Sequence, residues 1–67
     1  MYRIKIVRKK LPNTKITLQK RILGFIWIYW WGSELYGYDI DFHLEEEKII
    51  IEALEKEYKI SEVKKIY

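Results

Sequence analysis

Between Gly24 and Gly32 the chain reads GFIWIYWWG: seven consecutive apolar or aromatic residues, three of them tryptophan, in a protein of 67 residues. The longest apolar stretch, Ile22 to Trp31, has ten residues with a glycine inside. A membrane-spanning helix needs roughly 20, so the stretch is too short to cross a bilayer. Read with the period of a strand, Phe25, Trp27, Tyr29 and Trp31 project to one side and Ile26, Ile28 and Trp30 to the other. Both sides are apolar, the pattern of a strand covered on both faces. Any fold containing it must cover two faces or leave one as a contact surface.

The remainder of the chain offers little material for that cover. A single domain over residues 1–67 is expected, near the size where one core barely sustains a fold. Cysteine is absent, so no disulfide or thiolate site can reinforce it, and the cytoplasm is the expected compartment. The opening MYRIKIVRKK is basic but alternates, without the apolar centre of a secretion signal. Tyr2, Ile4 and Ile6 share one side of a strand, and Arg3 and Lys5 the other. Pro12-Asn13 supplies a turn, and Ile16 to Ile22 resumes the strand pattern with Ile16, Leu18 and Ile22 on one face and Lys20 interrupting them. Gly24 is a turn or a bulge, and Phe25 to Trp31 is a third strand or a kinked continuation, ended by Gly32-Ser33-Glu34. Tyr36 to Phe42 alternates again and reads as a further strand.

The period then changes. In HLEEEKIIIEALEKEYK, Ile50, Ile51, Leu54 and Tyr58 recur at helical spacing, with Leu44 a turn earlier and Ala53 beside them. Glu45, Glu46 and Glu47 occupy the first turn and suit the positive end of a helix dipole. Asp41 or His43 is the expected N-cap. Ser61 to Tyr67 reads as a short last strand or a docked tail. The expected fold is α+β, a small antiparallel sheet of three or four strands on one amphipathic helix, in the order β-β-β-α with that short C-terminal strand as an addition.

Charge is segregated along the chain. Residues 1–24 hold eight basic side chains and no acidic one, whereas residues 33–62 hold ten acids and three lysines. No catalytic set assembles from two serines, one histidine and no cysteine, so no enzyme, cofactor or metal is expected. Asp39 and Asp41, two apart, offer too few oxygens for a hard cation and read as solvated strand residues. His43 reads as a cap. The aromatic run reads either as core or as an interface, with Trp27, Tyr29, Trp31, Tyr36 and Tyr38 the candidate partner-binding residues. The basic third reads either as a solvated, aggregation-resistant strand face or as a phosphate track, with Arg8, Lys9, Lys10, Lys20 and Arg21 the candidate nucleic-acid contacts.

A basic opening strand, then QKRILGFIWIYW, then DFHLEEEKIIIEALEKEY resembles the small orphan proteins of bacteriophages and prophages. Some of those inhibit host defence, anti-CRISPR proteins among them. The resemblance spans most of the chain and implies a compact sheet-plus-helix domain in the host cytoplasm, seated on a protein partner such as a ribonucleoprotein nuclease. It carries no residue role. The leading expectation is a non-enzymatic protein that occupies a partner's surface. The alternatives are a single-stranded nucleic-acid-binding module and a structural homo-oligomer, and no membrane partner is expected.

Overall fold

The computed structural model describes residues 1–8 and 13–66. Its elements run β1 (Tyr2–Arg8), β2 (Asn13–Ile22), β3 (Ile26–Tyr36), α1 (Ile40–Glu57) and β4 (Ile60–Ile66). They form one four-stranded sheet in the order β3-β2-β1-β4, so the fold is α+β with a single helix packed on the sheet. The sheet is mixed rather than purely antiparallel. β1 pairs antiparallel with β2 and β2 with β3, but β4 lies parallel to β1 at the edge. A parallel return from β3 to the far edge needs a long crossover, and α1 provides it.

Period-two alternation decides which face each strand buries. Ile4 and Ile6 of β1 stand opposite Leu18 and Ile16 of β2, and all four are fully buried under α1. Leu54 completes this core, and Tyr2, Leu35, Ile50, Ile51, Tyr58 and Ile60 pack around it. The inward stripe of α1 begins earlier than the apolar pattern suggests: His43 and Glu47 are buried too. They continue the three-to-four spacing of Ile50, Ile51, Leu54 and Tyr58 back towards the helix start. Leu44, the expected first apolar contact, is instead 47% exposed.

Two polar pairs hold this end of the helix to the sheet. His43 Nδ1 and Thr14 Oγ1 are 2.7 Å apart and buried. Glu47 accepts from Arg8 in an ion pair with little solvent around it. His43 is thus a core residue and not a cap. The N-cap is Asp39, whose carboxylate accepts from the backbone N–H of Asp41 at 3.0 Å and of Phe42 at 3.2 Å. Those bonds satisfy donors that the first helical turn leaves open. The expected strand over Tyr36 to Phe42 is therefore replaced by a bend at Gly37-Tyr38 and the start of α1. Its alternation came from side chains that lie partly on a helix, and the cap outweighs it.

β3 also differs from its expected bounds. It does not stop at Gly32 but runs on to Tyr36, paired with β2 throughout. Gly24 belongs to a turn. Leu23 (φ 51°) and Gly24 (φ 84°) both occupy left-handed backbone, the mirror-image geometry that hairpin turns favour.

Candidate functional site

The helix covers one face of the sheet and leaves the other open. Strand parity and register assign Arg3, Lys5 and Val7 of β1, and Lys15, Thr17, Gln19 and Arg21 of β2, to the open face, opposite the buried Ile4, Ile6, Ile16 and Leu18. On β3 the register places Trp27 beside Arg21, Tyr29 beside Gln19, Gly32 beside Thr17 and Glu34 beside Lys15. On β4, Glu62 stands beside Arg3 and Lys64 beside Lys5.

A bulge decides the aromatic layout. Leu18 pairs with Trp31 but Gln19 with Tyr29, so Trp30 is one residue too many. Trp30 meets Tyr2 edge-on at 6.2 Å and has the Lys20 ammonium 4.8 Å from its centroid. Trp31 lines a groove with Ile49, Ile50, Ala53 and Tyr58 of the helix side. Both rings therefore sit on the helix side, whereas Trp27 and Tyr29 sit on the open face. The expected grouping of Trp31 with Trp27 and Tyr29 is corrected by this one inserted residue, which reverses the parity of the strand beyond it.

On the open face Trp27 is the anchored ring. The Arg3 guanidinium lies 4.2 Å from its centroid and Arg21 lies 5.9 Å away. Arg3 also donates from Nε to Gln19 at 2.6 Å and approaches Glu62 at 3.6 Å. Such cation–π contacts add about 0.5–1 kcal/mol each at exposed sites. Tyr29 lies across the next row. A Cβ built on Gly32 would come within 2.8 Å of its hydroxyl and 2.9 Å of its ring. Only a glycine lets the phenol rest against the strand there, and 66% of Tyr29 remains exposed. In the same row Thr17 is buried, and Lys5 and Lys64 continue the face.

The remaining candidates divide. Tyr36 ends β3 on the open face, nine positions from Trp27, roughly 30 Å along the strand. Its hydroxyl donates to Glu34, and that bond and the nearby negative charge raise its pKa above the usual 10.0. Tyr38 lies beyond it in the bend, 78% exposed. The five predicted partner-binding residues therefore do not form one patch. Among the predicted nucleic-acid contacts, Arg8 is engaged with Glu47 on the helix side and Lys20 caps Trp30 there. Arg21 alone of the described members faces the open side, and Lys9 and Lys10 lie outside the described residues. Lys5, Lys15 and Lys64 belong to the face but were not singled out. The outward parity of Arg3 and Lys5 was the signal that could have found them.

No helix among the described residues is long and apolar enough to cross a membrane. No family model, curated protein or solved structure matches the chain.

Proposed function

We propose that this protein is a non-enzymatic binding module whose open sheet face holds single-stranded nucleic acid. The observation that carries the reading is an exposed phenol ring, Tyr29, resting on Gly32 within one face that also presents Lys5, Lys15, Arg21 and Lys64. Bases stack on exposed rings whatever their identity, and lysine and arginine track the phosphates. The two acids on this face are engaged, Glu62 by Arg3 and Glu34 by the Tyr36 hydroxyl. The exposed carboxylates of α1 lie on the opposite layer, behind the sheet. Part of the charge segregation along the chain thus separates Lys5, Lys15 and Arg21 from the helix carboxylates, while Arg8 and Lys20 stay on the helix side.

Anisotropy of a labelled single-stranded oligonucleotide, titrated at two salt concentrations, tests this. Three or four phosphate contacts give a log–log salt slope of about −2 to −3. Tyr29→Ala removes one stacking platform, an expected weakening of about tenfold to a hundredfold. Gly32→Ala pushes the same ring off the strand and weakens binding without deleting it. Absence of binding at low salt discards the reading.

A second reading, occupation of a protein partner's surface, is favoured by the groove of about 310 Å³ between β3 and α1. Trp31 and Ile49 stand exposed at its rim, 41% and 51%, and tryptophan anchors are frequent interface hot spots. Trp31→Ala that retains the fold and leaves capture of a native partner intact excludes the groove as the contact.

A further inference from the structure

The β2–β3 turn is built at a cost that nothing inside the protein recovers. Leu23 occupies left-handed backbone at φ 51° and is 80% exposed. A bulky residue in that region is strained, and asparagine or glycine would relieve it. Phe25, across Gly24, is 78% exposed. Two large apolar side chains therefore project from the end of a hairpin, one of them held in strained backbone. Strain retained at an exposed position points to a use outside the fold.

The surroundings of the tip identify the use. Directly behind it Trp27 pairs with Arg21, whose guanidinium lies over the indole, and Lys20 follows on the other face with its ammonium towards Trp30, further along β3. Ile26, 39% exposed, continues the apolar surface. Lys59 joins the same end, because its carbonyl accepts from Tyr2 N–H while the Met1 carbonyl accepts from Arg21 N–H. The strands that meet at the tip carry no acidic residue from Met1 to Ser33, and the acids towards this end are Glu57, in the last turn of α1, and Glu62, held beside Arg3. The helix start, with Asp39, Asp41 and Glu45 to Glu47, lies at the opposite end, where Glu47 meets Arg8 and His43 meets Thr14. An apolar point backed by an indole with basic side chains level with it is a set of groups suited to shallow insertion into an anionic bilayer surface.

We infer that the Leu23–Gly24–Phe25 tip inserts into the interface of a membrane containing anionic lipid, with Lys20, Arg21 and Lys59 held at the headgroups. The expectation of no membrane partner rested on the length of the apolar run, and no helix among the described residues is long and apolar enough to cross a membrane. A hairpin tip needs only two side chains to reach the acyl boundary. Their burial alone gives weak binding, so the basic side chains and the anionic headgroups are both required. The inference shares Arg21 with the open face but stands on Leu23 and Phe25, which nucleic-acid binding there does not use.

Co-sedimentation of the full chain with vesicles tests it, using phosphatidylserine in phosphatidylcholine against phosphatidylcholine alone, at about 0.1 M salt. Binding to the anionic vesicles with a blue-shifted tryptophan emission, and little to the neutral ones, is expected. Leu23→Asn and Phe25→Ser each weaken partitioning by about tenfold to a hundredfold. Leu23→Asn should at the same time raise the melting temperature, so binding and stability move in opposite directions. Absence of binding to anionic vesicles, or wild-type partitioning of Leu23→Asn, overturns the inference. So does loss of oligonucleotide binding in the two tip variants, which would assign the tip to nucleic acid. A dimer that dissolves on Leu23→Asn without lipid overturns it as well, the tip then being covered by a second copy.

Discussion

Replacing Glu47 by alanine separates a buried ion pair from a surface one. The side chains of Arg8 and Glu47 are 14% and 4% exposed, which places the pair among those shielded from water. An exposed pair contributes about 0–1 kcal/mol. Removing one member of a shielded pair costs about 3–5 kcal/mol, because the charge left behind keeps its desolvation penalty. A chain of 67 residues has a total stability of about 3–10 kcal/mol at the usual value per residue. Glu47→Ala is therefore expected to remove a third or more of it. Urea unfolding followed by tryptophan fluorescence reads this directly. With a slope near 1 kcal/mol per molar, the midpoint falls by about 3 M or the variant is unfolded from the start. Arg8→Met with Glu47→Leu, which removes both charges and keeps apolar volume, should restore most of the loss. A midpoint shift below about 1 M for Glu47→Ala would refute the reasoning and return the pair to the solvated class.

Two further outcomes follow from local geometry. Asp39→Ala removes the acceptor for the Asp41 and Phe42 N–H groups and should cost about 1 kcal/mol in the same assay. In an ultraviolet titration of tyrosinate, Tyr36 should ionise above the usual 10.0, because Glu34 accepts a hydrogen bond from the neutral phenol and repels its anion. The stabilisation that accompanies this raised pKa is present below pH 10.0 and is lost as pH rises through the folded-state value. Glu34→Gln should bring the transition back towards 10.0, and an unchanged transition would count against the bond.

Much of the fold is legible in local pattern. Alternation in β1 and β2 reports one buried face, and the later apolar residues of α1 report its inner stripe. Alternation also marks Arg3 and Lys5 as outward-facing, from which the basic open face follows. The polar half of the helix stripe is not legible in the same way. His43 and Glu47 carry no apolar signal, and they are buried only because Thr14 and Arg8 stand opposite them. Arg8 reads as a candidate phosphate contact until Glu47, 39 residues away, is known to stand beside it.

The aromatic run shows the division most sharply. By itself the sequence determined that GFIWIYWWG is too short for a membrane span, apolar on both sides when extended, and bounded by turn residues. Those properties follow from length and composition within the segment. Only the tertiary structure decided which ring faces which way. The bulge at Trp30 is a mismatch in count between β3 and its partner β2, and a strand read alone has no partner to be counted against. That one residue sends Trp31 to the helix side and leaves Trp27 and Tyr29 on the open face, among the cations.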